Sequence, residues 1–220
     1  MARRVSLTFD NGPTPGVTER VLDILAERGL PATFFVVGEK AATPRGRELV
    51  RAELAGGHRV GHHTMSHTVR LGDLAAAAPG FVEREFDQPL RLLRELGVRE
   101  NLYRPYARGG VLDEHVLSAA GIERMRATGA TCVLWNSVPR DWEGGDWLPR
   151  ARHDVANQDW TVVVLHDLEP GCASGLEPFL DWLAATGVEV VPELPEACTP
   201  ILAGELVGPV EHLMADLASR

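Results

Sequence analysis

The sequence predicts a parallel α/β fold, either an open sheet or a closed barrel. Along most of the 220 residues, apolar runs typical of buried strands alternate with amphipathic stretches typical of helices. No linker, repeat or low-complexity segment interrupts this alternation, so we expect a single domain over 1–220, with its core at about 5–191 and a C-terminal extension at 192–220. The seven strand candidates are 5–9, 32–37, 58–61, 101–103, 131–135, 161–165 and 188–191.

The first strand candidate, 5–9, ends abruptly in the polar sequence Asp10-Asn11-Gly12-Pro13. These four residues are ordinary turn formers, so a simple loop is one interpretation. The other is that Asp10 and Asn11 are functional groups placed at the end of a buried strand.

Helix boundaries follow from capping residues and from glycines that end the periodic segments. The first expected helix begins after Thr14 and ends at Gly29, and the second begins at Thr43-Pro44 and ends at Gly56-Gly57. Residues 73–80 are expected to form an alanine-rich turn, followed by a helix over 81–96 with a kink at Pro89. Four more helices are expected: from Asp113 to Ala120, near 147–156, from a Ser174/Glu177 capping box to Gly187, and over roughly 208–218.

Composition narrows the class of partner. A net charge of −9 argues against nucleic acid and anionic membranes as partners, because both attract basic surfaces. The three cysteines are far apart and form no Cys-x-x-Cys motif, which indicates reduced structural thiols. The N-terminal residues lack an apolar stretch of signal-peptide length, so we expect a cytoplasmic protein acting on a small molecule or saccharide, of unspecified oligomeric state.

Five polar residues of complementary chemistry lie at or just after the ends of strand candidates. In parallel α/β folds the carboxyl ends of the strands share one edge, where ligands and catalytic groups collect. We therefore expect a catalytic mouth formed by Asp10, His63, Arg104, Asp141 and His166.

His63 and His67 have the i, i+4 spacing that can bring two imidazoles to one metal ion. Neutral imidazole favours zinc and similar divalent ions. The alternative is that one or both are loop histidines without a ligand role.

Two polar pairs are expected if the fold brings their members together. Asp141 could orient His166 as a general acid, and Arg104 could hold Asp10 ionised as a general base. The alternatives are that His166 is a core histidine and that Arg104 and Asp10 form a purely structural ion pair. Trp142 could belong either to the pocket wall or to the core.

Five fragments of the chain occur in the order and context of the polysaccharide deacetylases, the nodulation-protein-B homology domain of carbohydrate esterase family four. The chain resembles that family over about residues 5–191. The fragments are Thr8-Phe9-Asp10-Asn11-Gly12-Pro13, His63-Thr64-Met65-Ser66-His67, Arg104-Pro105-Tyr106, Asp141-Trp142 and Leu165-His166-Asp167.

The resemblance implies a distorted (β/α) barrel of about seven parallel strands and a metal-dependent N-deacetylase. In the family, Asp10 would be the base, steadied by Arg104. His166, supported by Asp141, would protonate the departing amine. Asn11, His63 and His67 would hold the metal, expected to be zinc, while the backbone near Tyr106 would stabilise the oxyanion and Trp142 and Val164 would floor the acyl pocket.

Three departures from the family pattern concern the metal and the substrate. Asn11 stands where the family has Asp, so weaker metal binding is expected. Val138 stands where another Asp is usual, and the arginine motif is one residue short, which leaves Tyr106 or Ala107 as the oxyanion donor.

Three functions are compatible with the sequence. The first is removal of an acyl group from an amino sugar or a small N-acyl compound. The second is metal-independent hydrolysis of cyclic imides or allantoin-like amides, and the third is a catalytically silent carbohydrate-binding relative. Retention of Asp10, Arg104, Asp141 and His166 favours hydrolysis of a carbon–nitrogen bond.

Overall fold

The computed structural model describes residues 2–73 and 78–215. Its centre is a curled sheet whose hydrogen-bonded order is β6-β1-β2-β3-β4-β5-β8-β9, with β7 pairing on β1. The strands are β1 Arg4–Asp10, β2 Thr33–Val36, β3 Arg59–His62, β4 Leu102–Tyr103, β5 Thr131–Cys132, β6 Trp160–His166, β7 Glu189–Val190, β8 Ile201–Leu202 and β9 Glu205–Leu206.

The pairings among β1 to β7 are all parallel, so the predicted set of seven parallel strands is confirmed. An isolated parallel bridge between Ser137 and Val163 also joins the segment after β5 to β6. The strands β8 and β9, which the sequence did not predict, add an antiparallel edge beyond β5.

Within residues 2–73 and 78–215, seven α-helices connect and cover the strands. They are α1 Val17–Arg28, α2 Gly38–Ala42, α3 Pro44–Ala55, α4 Gln88–Glu95, α5 Ala119–Thr128, α6 Leu148–Ala156 and α7 Leu176–Ala185. In the described part of the chain, no helix has the length and apolarity needed to cross a membrane.

Several predicted helix boundaries are wrong. The helix expected from Asp113 is absent from that segment; α5 begins instead after Ser118, whose hydroxyl accepts from Gly121 N. Gly175, not Ser174, is the N-cap of α7. The first turn near Thr14 is not helical, and α1 begins three residues later, at Val17.

The segment 81–96 is divided, as the proline suggested, but earlier than Pro89. A π-helical turn at Glu83–Asp87 precedes α4, and Pro89 occupies the first turn of α4, where a missing amide N–H costs little. The helix expected near 208–218 is reduced to a 3₁₀ turn, Glu211–Leu213; 74–77 and 216–220 lie outside the described residues.

Side chains along β1 and β6 point alternately to the two faces of the sheet, and this alternation places the polar residues of the predicted site on one face. Val5, Leu7 and Phe9 of β1 pack in the same buried cluster as residues of α1, α6 and α7. Successive side chains of a strand point to opposite faces, so Ser6, Thr8 and Asp10 share the other face. The inner face of β1 is therefore polar and ends in a carboxylate.

Candidate active site

Asp10 and His166 end two neighbouring strands and are in register. The pairing of β1 with β6 sets Asp10 directly opposite His166, and neighbouring strands lie about 4.8 Å apart. Both side chains are buried, with 3% and 7% exposure, yet both line the same open cleft of about 200 Å³.

Arg104 holds Asp10 in place. It follows β4 and is fully buried, and its Nη1 donates to Asp10 Oδ1 at 2.8 Å and to Thr8 Oγ1 at 2.6 Å. Its remaining donors reach the carbonyls of Val133 and Leu134 at 3.2 and 3.3 Å. Burial lowers the pKa of Arg104, and the carboxylate of Asp10 opposes that shift.

Asp141 holds His166 by two hydrogen bonds. The carboxylate lies 2.7 Å from His166 Nδ1 through one oxygen and accepts from the backbone N–H of His166 at 2.8 Å through the other. An acceptor at Nδ1 places the ring proton there and leaves Nε2 for exchange with a substrate. The Trp142 ring packs edge-on against the His166 ring at 4.7 Å.

His63 and His67 stand beside Asp10. His63 Nδ1 lies 2.8 Å from the carbonyl oxygen of Arg104, so Nδ1 carries the proton and Nε2 its lone pair, 3.7 Å from Asp10 Oδ2. The His67 ring lies between those of His63 and Tyr106, at 4.7 and 4.1 Å. Burial lowers the pKa of His63 and of His67 to about 3, so both imidazoles are neutral at pH 7.

Asn11 has a left-handed backbone, with φ 71°. Its main-chain carbonyl accepts a 2.6 Å hydrogen bond from Lys40 Nζ, and its side-chain Oδ1 is buried without a hydrogen-bond partner among the described residues. A buried oxygen left without a partner costs free energy, so a ligand that would satisfy it is the expected counterpart.

Asn11, His63 and His67 together offer two nitrogen donors and one oxygen donor to a divalent metal. Two neutral imidazoles and a buried, unpartnered amide oxygen fit an ion that accepts nitrogen and oxygen ligands. The set carries no negative charge of its own, and the described residues contain no group of three or more His, Cys, Asp or Glu able to hold a metal. Asn11 thus makes the fit a weak one.

The structure brings all ten predicted site residues together. Eight line the cleft: Asp10, Asn11, His63, His67, Tyr106, Trp142, Val164 and His166. The other two, Arg104 and Asp141, lie directly behind the carboxylate and the imidazole to which they are bonded.

Sequence reasoning missed Glu85, which shapes the loop that holds His67. Its buried carboxylate accepts from the backbone N–H groups of Met65 and Ser66 at 3.1 and 2.9 Å. The burial of Glu85 could have been predicted, because Glu85 stands four residues after Phe81, on the apolar face of its helical segment.

Asp167, which belongs to the Leu165-His166-Asp167 fragment and was assigned no role from the sequence, supports the turn at Asn11. Its buried carboxylate accepts from Thr18 Oγ1 and lies against Gly12, where an added Cβ would be 2.1 Å from Asp167 Oδ2. Burial raises the pKa of Asp167 to about 7. No pattern along the chain joins Thr18 to Asp167, which are 149 residues apart.

Comparison with known proteins shows to which family the chain is similar. The model of the polysaccharide deacetylase family matches residues 1–125. A chitooligosaccharide deacetylase of Sinorhizobium fredii is 39% identical over 177 residues, which cover 78% of this chain and 74% of that protein. A peptidoglycan-N-acetylglucosamine deacetylase of Bacillus cereus is 31% identical over 173 residues, covering 74% and 72%.

A solved structure shows the same fold. The family 4 carbohydrate esterase from Streptomyces lividans, in complex with acetate, superimposes with a TM-score of 0.71 at 24% identity, over 94% of this chain and 98% of that one. The expected distorted (β/α) barrel is therefore confirmed. From the motif residues, the fold and these relatives together, we conclude that the chain belongs to the polysaccharide deacetylase family.

Proposed function

We propose that this protein hydrolyses the N-acyl amide of an amino sugar, releasing a carboxylic acid and a free amine. The observation that carries the proposal is the register of Asp10 with His166, which sets a carboxylate and an imidazole side by side at one cleft. Amide hydrolysis needs a base for the attacking water and an acid for the leaving nitrogen, and these two groups match those needs.

In the proposed mechanism Asp10 accepts the proton of the attacking water. Arg104 places its positive charge beside the carboxylate and fixes its orientation through the 2.8 Å bond to Oδ1. His166 then donates a proton to the departing nitrogen through Nε2, while Asp141 accepts from Nδ1 and stabilises the positive charge that the ring carries when protonated.

Asn11, His63 and His67 are the residues that would hold a divalent ion. Its chemistry there would be Lewis-acid polarisation of the scissile carbonyl. Zinc is the metal we propose, since imidazole nitrogens supply two of the three donors.

The relatives favour amino-sugar deacetylation over the two other functions. Those named above are deacetylases of chitooligosaccharides and of peptidoglycan N-acetylglucosamine. A metal-independent imidase would have no use for the unpartnered Asn11 oxygen and two neutral imidazoles, and a silent binding protein would have no use for the two bonded pairs. A cytoplasmic location stays a prediction, and it would favour a soluble saccharide over a wall polymer.

The test is release of amine from N-acetylated chitooligosaccharides, with and without added zinc, cobalt or manganese. We expect Asp10→Asn and His166→Gln each to lower kcat/KM by about 10²- to 10⁴-fold, the usual contribution of a general base or acid. The matched controls Asp23→Asn and His153→Gln, both on exposed helix positions, should retain wild-type rates. Absence of turnover by the wild-type protein under every metal condition would refute the proposal.

A further inference from the structure

The loop that carries Asp141 is anchored at both ends. At its start, Ser137 makes two backbone hydrogen bonds with strand β6, at 3.0 and 3.3 Å. At its other end, the Asp141 carboxylate bonds the ring and the backbone N–H of His166. Between these anchors, the backbone at Pro139 and Arg140 sets the direction of the Asp141 side chain.

Arg140 has a left-handed backbone, with φ 60° and ψ 49°. This conformation is unfavourable for a residue with a Cβ atom, so contacts with other residues must stabilise it. A 3₁₀ turn, Asp141–Glu143, begins directly after it, and Glu143 N donates to the Arg140 carbonyl at 3.2 Å. A change in the backbone angles of Arg140 would therefore turn Asp141 relative to His166.

Helix α6 stabilises this backbone through Arg150. The Nε of Arg150 donates to the carbonyl oxygen of Pro139 at 2.5 Å, and its Nη2 donates to that of Arg140 at 3.3 Å. The same guanidinium lies 3.7 Å from a carboxylate oxygen of Glu143, at the end of the 3₁₀ turn. Because the guanidinium is planar and rigid, its bonds to two successive carbonyls fix the backbone between them.

Asp154 makes a second contact between α6 and the loop. Its carboxylate accepts from Ser137 Oγ at 2.7 Å. Arg150 and Asp154 are four residues apart, so they share the face of α6 that meets the loop. Within the described residues, the lining of the cleft includes no residue of α6. Arg150 can therefore affect the reaction only through the loop that it holds.

We propose that Arg150 is a positioning residue for the general acid. By fixing the carbonyls of Pro139 and Arg140, it holds the Asp141 carboxylate against His166 Nδ1. That bond fixes the plane of the imidazole, and with it the direction in which Nε2 meets the departing nitrogen. The inference rests on the proposed roles of Asp141 and His166, and it adds a residue on which the second proton transfer depends.

The experiment compares two leaving groups that differ in their need for a proton. An N-acetylated chitooligosaccharide releases an amine, whose nitrogen must be protonated as it departs. In contrast, 4-nitrophenyl acetate releases a phenolate, which leaves as an anion without protonation. Both compounds require attack of water on the carbonyl carbon. A residue that serves the general acid alone should therefore matter for the amide and not for the ester.

In Arg150→Gln we expect kcat/KM for the amide to fall about 10- to 100-fold, since a misplacement of about 1 Å can cost a factor of this order. The rate on the ester should be unchanged. Arg150→Lys keeps the charge, but one nitrogen cannot bond both carbonyls as a guanidinium does, so its loss should be smaller. The matched control is Arg152→Gln on the same helix, whose guanidinium donates to the Pro178 carbonyl at 3.4 Å; it should keep both wild-type rates.

Three kinetic results would overturn the proposal. The first is an equal loss on the amide and the ester in Arg150→Gln, which would indicate a general structural effect. The second is no loss on either compound. The third is an amide-specific loss of the same size in Arg152→Gln.

Proton NMR of the His166 ring is a further test that needs no turnover. The Nδ1 proton bonded to Asp141 should give a low-field signal in the wild-type protein and in Arg152→Gln, and this signal should be lost to exchange with water in Arg150→Gln. A signal that persists in Arg150→Gln, or that is absent from the wild-type protein, would overturn the inference. This measurement alone decides if the wild-type protein leaves the ester intact, or if it leaves the amide intact and the proposed function fails.

Discussion

Asn11 is the residue at which this chain differs most consequentially from its family pattern. Its side-chain oxygen is buried and unpartnered beside two neutral imidazoles, and the Lys40 ammonium is bonded to its main-chain carbonyl. With an amide at position 11 and the Lys40 ammonium close by, the charge around the candidate metal position is less negative than it would be with an aspartate at position 11. A divalent cation gains more from a charged oxygen ligand than from an amide, so the side chain at position 11 should govern affinity.

Asn11→Asp is expected to tighten zinc binding by at least about tenfold, because a carboxylate replaces a neutral donor of the same shape. Competition with a chromophoric chelator gives the dissociation constants, and metal content after dialysis gives an independent check. Asn157→Asp, on the exposed end of α6, adds the same charge elsewhere and should leave the affinity unchanged. Equal affinities in all three proteins would mean that the Asn11 oxygen is not a metal donor.

Arg104 contributes through geometry as well as charge. Its planar guanidinium reaches Asp10, Thr8 and two carbonyls at once, which a lysine ammonium at the same position cannot do.

We expect Arg104→Lys to reduce kcat by about 10- to 100-fold and to lower the free energy of unfolding by roughly 2 kcal/mol, since hydrogen bonds are lost while the charge remains. Arg104→Met should cost about 3–5 kcal/mol, because Asp10 is left buried and unpaired. Urea unfolding and steady-state kinetics measure the two effects, with the exposed Arg99→Lys as control. A lysine variant with wild-type kcat would show that charge alone suffices.

At the scale of secondary-structure elements, four strand ends each place one residue of the candidate site. The strands β1, β3, β4 and β6 lead directly into Asp10, His63, Arg104 and His166. What fixes the loops is contact between elements: Val37 N bonds the Gly12 carbonyl and Asp167 packs on Gly12.

Gly12→Ala should be strongly destabilising, by roughly 2–4 kcal/mol in urea unfolding, because its methyl group would meet both oxygens of the buried Asp167 carboxylate. Gly145→Ala is the matched control: no atom lies within 4 Å of its added Cβ, and its stability should change by less than about 0.5 kcal/mol. Similar stabilities for the two variants would contradict the packing of Asp167 on the turn.

Strand ends could be predicted because each is a local pattern, such as Val-Val-Val-Leu before His166. The pairs Asp10–Arg104 and His166–Asp141 join residues 94 and 25 positions apart, and they were predicted from the shared edge of a parallel sheet and from the family motifs. The features that escaped prediction depend on distant residues. Asp113 has the chemistry of a helix cap but is engaged by Arg70 at 2.8 Å, so Ser118 caps α5 instead. The strands β8 and β9 are two residues each, too short for any periodicity to show.

At the scale of the whole molecule, the protein buries acidic groups in an already acidic chain. Asp167 and Glu53 are both buried, and desolvation raises the pKa of Asp167 to about 7 and that of Glu53 well above its ordinary value. The native state therefore retains protons that the unfolded chain releases at lower pH.

The raised pKa of Asp167 predicts a pH-dependent stability. Its contribution is complete below pH 3.8, where both states are protonated, and it is lost between pH 3.8 and 7, where only the unfolded state ionises. Relative to Asp167→Asn, the wild-type protein should lose about 1.4 kcal/mol per pH unit across that window and nothing further above it. Urea unfolding from pH 4 to 8 measures the difference in the free energy of unfolding between the wild-type protein and each variant. For the control Asp23→Asn this difference should stay constant with pH. A difference that also stays constant for Asp167→Asn would disprove the raised pKa.

The in-register pairing of Asp10 with His166 has a mechanical consequence. The separation between the backbones of Asp10 and His166, the proposed base and acid, is set by interstrand hydrogen bonding, which repeats the same spacing along all seven register positions from Arg4 to Asp10. Loops around the cleft can lengthen, shorten or change sequence without altering this interval. The loops can therefore change with the substrate while the sheet keeps the distance between the proposed base and the proposed acid constant.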